Sequence, residues 1–289
     1  MDKNTQGITG NTPAEVRRSS LTADTTPEAL SRLAGTPLLT VVATRLVALT
    51  DQTSVGAEKF RTLAARLRYF QNKQNLKKLV ITSAVQGEGK SLISANLAIT
   101  LARRQRTLLI DGDLRRSGLR DLFGTQNMRG LADWWQKAVG VGNFLTRVEG
   151  LSLWHLSAGQ TEGQPLEILQ SQRMSDMLIQ LAESFDWVII DSPPLAPVAD
   201  GHVWATHADG TLMVVRQGKT PKKLLQKTLE SVENLKLVGI VMNTSQDAQR
   251  HHYSQYYASM EQSSVSPDRK QHFSKPENPS LPDWIGSRR

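Results

Sequence analysis

The sequence predicts a doubly wound α/β domain with a mostly parallel sheet, and two observations carry this prediction. Near-continuous apolar runs, such as Val-Ile-Ile at 188–190 and Leu-Met-Val-Val at 212–215, alternate along the chain with longer amphipathic stretches. Strands that are apolar at every position are typical of a parallel sheet with helices on both faces. The amphipathic stretches supply those helices, so the elements are expected to wind around one sheet.

The individual elements follow from the same pattern, in chain order. A helix is predicted where apolar residues recur every three to four positions, and a strand where a short apolar run ends in turn residues. The pattern predicts helices at 56–71, 90–104, 166–184 and 220–234, and strands at 78–83, 107–111, 151–156, 186–191, 210–215 and 237–242. The flanks contain little core material. We therefore predict a disordered segment at 1–41, a globular domain at 42–245 and a flexible tail at 246–289.

Composition excludes several classes of function. The 289 residues include no cysteine, which excludes disulfides and a thiol nucleophile. No apolar run reaches the ~18 residues of a membrane-spanning helix, and the start lacks a signal-peptide pattern, so we expect a cytoplasmic location. The formal net charge of +8 comes from scattered basic residues without interleaved aromatic side chains. We therefore expect a solvated basic surface and no nucleic-acid partner.

A glycine-rich motif stands between the strand at 78–83 and the helix that follows it. Residues 84–91 read Ala-Val-Gln-Gly-Glu-Gly-Lys-Ser and match the pattern G-x-x-x-x-G-K-S/T, with Ala84 in the place of the first glycine. In this pattern, backbone N–H groups and a helix N-terminus face phosphates, the lysine reaches the β and γ oxygens, and the serine can bind Mg²⁺. The motif predicts a P-loop NTPase type of fold and a nucleoside triphosphate site formed by Gly87, Glu88, Gly89, Lys90, Ser91 and Leu92.

Three aspartates follow two other apolar strands. Asp111 ends the strand at 107–111, Asp113 lies two residues beyond it, and Asp191 ends the strand at 186–191. Because ligands of open parallel sheets bind outside the carboxyl ends of the strands, we expect all three carboxylates to converge on the phosphates held by Lys90. Each aspartate alone is as typical of a strand-end turn or a helix cap. Their shared position at strand ends favours a common site.

Three of the four tyrosines form a cluster after the last predicted strand, at Tyr253, Tyr256 and Tyr257. The segment has little apolar content, which indicates a substrate more than a core. The ten residues from Asn243 to Tyr253 can extend at most ~33 to 36 Å, enough to reach the active site of a neighbouring subunit. The alternative is an exposed tyrosine patch without a function.

The combined motifs resemble those of the bacterial tyrosine kinases of exopolysaccharide and capsule synthesis, in their cytosolic form, which is separate from a membrane activator. The resemblance rests on 84–91, on Asp-Gly-Asp-Leu-Arg at 111–115, on Ile-Ile-Asp-Ser-Pro-Pro at 189–194 and on the tyrosine cluster. It covers about residues 42–257. It implies an ATP- and Mg²⁺-dependent protein-tyrosine autokinase that phosphorylates its C-terminal tyrosines in trans and regulates polysaccharide polymerisation or export.

The resemblance also implies roles for single residues. It assigns nucleotide and Mg²⁺ binding to Lys90 and Ser91, and places Asp111 and Asp191 near the metal. Asp113 is our candidate for accepting the tyrosine proton, although Asp111 could serve equally.

Two further roles come from the same resemblance. Arg115 matches an arginine of the family motif and could neutralise charge on the transferring phosphoryl group, or it could form a surface salt bridge. Asn243 resembles a residue that contacts adenine in related ATPases.

Assembly and partners are also implied by the resemblance. Glu58 and Arg61 match the first part of the family's oligomerisation motif, but Ala64 stands where a second arginine is expected. An exposed i,i+3 ion pair is an equal alternative for the first two. The implied partners are an inner-membrane polysaccharide copolymerase as activator, further copies of the chain as a homo-oligomer, and a cognate tyrosine phosphatase. The chain is then expected to associate peripherally with the inner membrane.

Two other functions fit parts of the pattern. One is a switch ATPase of the cell-division and partitioning (MinD/ParA-like) type, but Val85 stands where such proteins carry an additional lysine. The other is a noncatalytic nucleotide-binding adaptor, against which the intact lysine and aspartates argue. Tyrosine phosphate as a product distinguishes the kinase from both.

Overall fold

The computed structural model describes residues 36–41, 43–160, 165–196, 198–231 and 236–243. Most of the segment predicted to be disordered, the tail at 246–289 and the tyrosine cluster lie outside the described residues. In the described part of the chain, no helix is long and apolar enough to cross a membrane.

The described elements alternate between strands and helices, as the apolar pattern predicts. The strands are β1 Leu38–Leu39, β2 Lys78–Ser83, β3 Thr107–Asp111, β4 Leu145–Val148, β5 Leu153–Leu156, β6 Trp187–Asp191, β7 Gly210–Arg216 and β8 Leu237–Asn243. The helices are α1 Val47–Thr50, α2 Val55–Gln74, α3 Lys90–Ala102, α4 Leu119–Phe123, α5 Leu131–Gln136, α6 Pro165–Leu169, α7 Gln172–Ser184, α8 Asp200–His207 and α9 Lys222–Ser231.

The eight strands form one sheet in the order β1-β4-β5-β3-β6-β2-β7-β8. All neighbouring strands are parallel except β4 and β5. The chain therefore winds outward in both directions from β2, and the prediction of a doubly wound, mostly parallel sheet is confirmed. In such a sheet the carboxyl ends of the parallel strands share one edge, where ligands bind.

Side chains of successive strand residues enter two different cores, one on each face of the sheet. In β2, Leu79 and Ile81 pack with α2 and α3, whereas Val80 packs on the opposite face with side chains of α7 and α8. All three are fully buried. Burial on both faces explains why the three successive middle positions of this strand are all apolar.

Several predicted boundaries are corrected. The sheet begins at Leu38, inside the segment 1–41 predicted to be disordered, because β1 pairs with β4, a contact far away in sequence. The helix predicted at 166–184 is two helices, and the Ser171 side chain accepts a hydrogen bond from the Met174 N–H group at the start of α7. The short elements α4, α5, α8 and β4 were not predicted, because five to eight residues, or the four residues of β4, carry too little periodicity.

Candidate active site

The glycine-rich motif forms a loop between the end of β2 and the start of α3. Gly87 and Gly89 have φ angles of +81° and +92°, a left-handed conformation that L side chains rarely adopt. The Ile93 N–H group bonds to the Gly89 carbonyl, so the amides that begin α3 lack intrahelical partners. These amides and the helix N-terminus make the loop suitable for binding phosphates.

Glu88 stabilises the loop from inside. Its side chain is fully buried, and one carboxylate oxygen accepts a hydrogen bond from the Val85 N–H group at 3.2 Å. The other oxygen accepts a hydrogen bond from the Thr220 hydroxyl. The prediction that Glu88 binds the nucleotide is therefore limited to its backbone, because its carboxylate is already bonded.

Asn243 and Leu92 border the same loop. The Asn243 amide donates a hydrogen bond to the Glu88 carbonyl oxygen at 2.8 Å, and a Cβ atom at Gly89 would overlap that amide. The Leu92 side chain is partly buried and packs against the core. The adenine contact predicted for Asn243 stays a prediction.

Asp111 and Asp191 lie side by side on adjacent strands. They are directly paired in the register of β3 and β6, and both are fully buried. Burial raises the pKa of Asp111 to about 7 and the pKa of Asp191 to about 6. Ser117 donates a hydrogen bond to Asp111, and Ser94 donates one to Asp191 at 3.0 Å. The second oxygen of each carboxylate has no hydrogen-bond partner among the described residues.

Asp113 has different partners. One of its oxygens lies 3.2 Å from the Lys90 Nζ atom, and the other accepts a hydrogen bond from the Arg116 N–H group at 3.0 Å. The ion pair is almost fully buried. The structure therefore brings Lys90 and the three predicted aspartates together at the carboxyl edge of the sheet.

Two carboxylates with unpartnered oxygens fit a divalent cation. No group of three or more His, Cys, Asp or Glu side chains in the described ranges is placed to hold a metal. Mg²⁺ bound with a nucleotide usually takes only one or two carboxylates, since phosphates and water complete its shell. Asp111 and Asp191, with Ser91 at the start of α3, match this smaller requirement.

Arg115 forms an ion pair with Asp200 at the start of α8. Its Nε atom lies 2.7 Å from one Asp200 oxygen, and a second nitrogen lies 3.3 Å from the other. The Asp200 side chain is 3% exposed and the Arg115 side chain 49%. The structure therefore shows the salt bridge considered for Arg115, and its role in neutralising phosphoryl charge stays a prediction.

Glu58 and Arg61 also form an ion pair, on the exposed face of α2. The Arg61 Nε atom donates to Glu58 at 2.7 Å, and another nitrogen donates to the Gln52 carbonyl oxygen. This matches the alternative of an exposed i,i+3 pair. An oligomerisation role for these two residues stays a prediction.

Sequence reasoning missed the loop between β7 and α9. Arg216 donates a hydrogen bond to the Gly87 carbonyl oxygen at 3.3 Å, and Thr220 bonds to Glu88. The Lys219 ammonium lies 3.1 Å from the place that a Cβ atom of Gly87 would take. The only sequence signal was the basic character of residues 216–227, which does not indicate contact with a loop that lies 129 to 132 positions earlier.

The chain is similar to known proteins over most of its length. The CobQ/CobB/MinD/ParA nucleotide binding domain matches residues 79–269. Tyrosine-protein kinase YwqD of Bacillus subtilis (strain 168) is 31% identical over 73% of the chain and 90% of the relative. The Succinoglycan biosynthesis transport protein ExoP of Rhizobium meliloti (strain 1021) is 31% identical over 71% of the chain but only 28% of the relative.

A solved structure is also similar to this chain over most of its length. The crystal structure of the chimerical protein CapA2B2 superimposes with a TM-score of 0.66 at 28% sequence identity, over 75% of the chain and 98% of its own length. The family match at 79–269 includes the phosphate loop and the three aspartates.

Proposed function

We propose that this chain, which belongs to the bacterial tyrosine-protein kinases, uses ATP and Mg²⁺ to phosphorylate its own C-terminal tyrosines in trans. Its nucleotide-binding domain is of the CobQ/CobB/MinD/ParA family, and the chain is a protein-tyrosine kinase. The acceptors are Tyr253, Tyr256 and Tyr257. We further propose that phosphorylation regulates exopolysaccharide polymerisation or export.

The observation that carries the proposal is the arrangement of Lys90 with three aspartates at the end of the phosphate loop. Lys90 would bind the β and γ phosphates, together with the loop amides from Gly87 to Leu92. Ser91, Asp111 and Asp191 would hold Mg²⁺, because two of their oxygens lack partners. The metal held by these residues would supply positive charge against the negative charge that develops on the phosphates during transfer.

The proposed reaction is a single phosphoryl transfer. The phenolic oxygen of a tyrosine forms a bond to the γ phosphorus while the bond from that phosphorus to the bridging oxygen of ADP breaks. The phenolic proton passes to Asp113, which becomes available once Lys90 turns from its carboxylate toward the phosphates. Once the Arg115 side chain has broken its ion pair with Asp200, it would neutralise negative charge on the phosphoryl group.

Transfer between subunits is compatible with the position of Asn243. This residue ends β8 beside the phosphate loop, and the ten residues to Tyr253 span at most ~33 to 36 Å. The tyrosines of one subunit can therefore reach another subunit's site. Glu58 and Arg61 are the candidates for the contact between subunits.

The similarity to ExoP supports the proposed partners. The chain corresponds to 28% of ExoP, whose name describes a transport protein of succinoglycan biosynthesis. We infer that this chain works with a separate polysaccharide copolymerase in the inner membrane, which activates it and brings it to the membrane. A tyrosine phosphatase would reset the cycle.

A mixing experiment tests the kinase and its mode of transfer. One chain carries Lys90→Met and intact tyrosines, and the other carries Tyr253→Phe, Tyr256→Phe and Tyr257→Phe with an intact site. With Mg²⁺, ATP and the cytosolic segment of the partner, we expect phosphotyrosine on the Lys90→Met chain only in the mixture, as detected by mass spectrometry. The Lys90→Met chain alone, with the partner segment added, is the control.

Two results would contradict the proposal. Phosphotyrosine that forms in wild type but never on the Lys90→Met chain would mean transfer within one subunit. ATP hydrolysis without phosphotyrosine in any sample would favour the switch ATPase.

A further inference from the structure

A group of basic side chains lies next to the phosphate loop but is not used by the proposed reaction. We define the basic patch as Arg216, Lys219, Lys222, Lys223 and Lys227, which lie at the end of β7, in the following loop and on α9. Residues 216–227 contain these five cations and no acidic residue. All five are exposed.

The cations of the basic patch have no acidic partners among the described residues. Elsewhere in the described ranges, Lys78, Lys90, Arg106 and Arg115 each form an ion pair with an aspartate. On α9, Leu225 and Leu229 pack against the small apolar cluster under β7, which leaves the lysines on the solvent side. The fold therefore presents five exposed positive charges that have no ion-pair partner among the described residues.

The polypeptide leaves the described fold directly beside this patch. Asn243, the last described residue, is paired in register with Arg216, and the Gln217 N–H group bonds to the Asn243 carbonyl oxygen at 3.1 Å. The tyrosine cluster begins ten residues later, within ~33 to 36 Å of chain. The tyrosines of the same subunit can therefore reach the basic patch.

We propose that the basic patch binds the phosphorylated form of the chain's own tyrosine cluster. Each phosphotyrosine carries a charge of about −1.5 to −2 at pH 7, so three of them nearly match the five positive charges. Residues 244–257 without phosphate contain one acid, Asp247, and one arginine, Arg250, and offer no net negative charge. Phosphorylation thus switches the attraction on.

Binding would keep the product of the reaction at the rim of the nucleotide site. Arg216 donates a hydrogen bond to the Gly87 carbonyl oxygen, and the Lys219 ammonium lies near Gly87, so a tail held there would lie beside the next nucleotide to bind. The inference rests on the proposed function because kinase activity would produce the phosphotyrosine. Binding of a phosphorylated tail to the patch does not itself require that activity.

The test uses a synthetic peptide, so it does not depend on kinase activity. A fluorescent peptide of residues 244–260 with phosphate at Tyr253, Tyr256 and Tyr257 is titrated with full-length protein in which these three tyrosines are phenylalanine. At 0.15 M salt we expect fluorescence anisotropy to show binding at least tenfold tighter than for the unphosphorylated peptide.

Variants of the patch identify the binding surface. Lys222→Gln with Lys223→Gln removes two charges that do not contact the phosphate loop, and we expect at least a tenfold loss of affinity. The matched control, Arg104→Gln with Lys137→Gln, removes two exposed charges elsewhere and should leave affinity within twofold. Circular dichroism confirms that both variants fold.

Two results would overturn the inference. The first is a failure of the peptide test: both peptides bind equally, or the patch variant and the control variant bind the phosphorylated peptide with equal affinity. The other is binding of vesicles of 30% phosphatidylglycerol in phosphatidylcholine through Lys222 and Lys223 with no binding of the phosphopeptide, which would make the patch a lipid-binding surface. Absence of autophosphorylation with intact peptide binding would contradict only the proposed function.

Discussion

Replacing Asp191 by asparagine is expected to stabilise the nucleotide-free protein while it removes kinase activity. Burial is the largest cause that raises the pKa of the Asp191 carboxyl from 3.8 to about 6. This difference corresponds to about 3 kcal/mol, at about 1.4 kcal/mol for each pKa unit. Because the pKa is higher in the folded state, the contribution of this carboxyl to the free energy of unfolding is fully present below pH 3.8. That contribution is lost as the pH rises through about 6. Asparagine carries no charge and avoids that loss.

Urea unfolding followed by circular dichroism, in EDTA and without nucleotide, measures this effect. The Asp191→Asn variant should exceed wild type in free energy of unfolding by about 1.5 kcal/mol at pH 5 and about 3 kcal/mol at pH 8. Asp176→Asn, the same change at an exposed carboxylate on α7, is the matched control for the substitution itself.

The same variant tests the role of Asp191 in metal binding. Without this ligand, Mg²⁺ and ADP together should no longer raise the melting temperature, and tyrosine phosphorylation should fall at least about 100-fold, the size of effect found when an electrostatic group of an active site is removed. Lower stability than wild type at both pH values, or retained kinase activity, would refute the reasoning.

Two further predictions concern other charged groups. Arg115→Ala should lower the free energy of unfolding by about 1 to 3 kcal/mol, because it leaves the buried Asp200 carboxylate without its ion-pair partner. Asp200→Asn should lower it by about 1 kcal/mol, because the half-exposed Arg115 side chain stays in contact with water. Only Arg115→Ala should also lower kcat at least tenfold, and equal losses of kcat would leave Arg115 with a positioning role. Burial lowers the pKa of His155 to about 4, so wild type should lose about 2 kcal/mol of stability relative to a His155→Gln variant between pH 7 and pH 5. Parallel urea-unfolding curves for the two proteins would contradict this.

The parts of the fold that were predictable are those with a local signal. The middle positions of β2, β3 and β6 are all apolar because both faces of these strands are buried, and this pattern is readable without knowing the neighbours. The strand-end aspartates then follow, since parallel strands place their carboxyl ends on one edge. The sequence therefore predicted that Lys90 and three acids meet.

The parts that were not predictable depend on distant partners. Glu88 bonds to Thr220, 132 positions away, and Arg115 bonds to Asp200, 85 positions away. Nothing in the local sequence distinguishes a glutamate that supports a phosphate loop from one that faces the ligand. Likewise, the loop between β7 and α9 joins the site only because β7 lies next to β2 in the sheet.

The hydrogen-bond partners of the buried acids separate structural from ligand-binding roles. Both carboxylate oxygens of Glu88 are bonded within the protein, so this acid can be satisfied with no ligand present. Asp111 and Asp191 each keep one oxygen without a partner in the described part of the chain, and their raised pKa values show that their charged forms are unfavourable there. A buried polar atom without a partner is destabilising unless something else compensates it. Because the two atoms belong to adjacent carboxylates beside Lys90, a divalent cation carried in with the nucleotide is the compensation that this site fits.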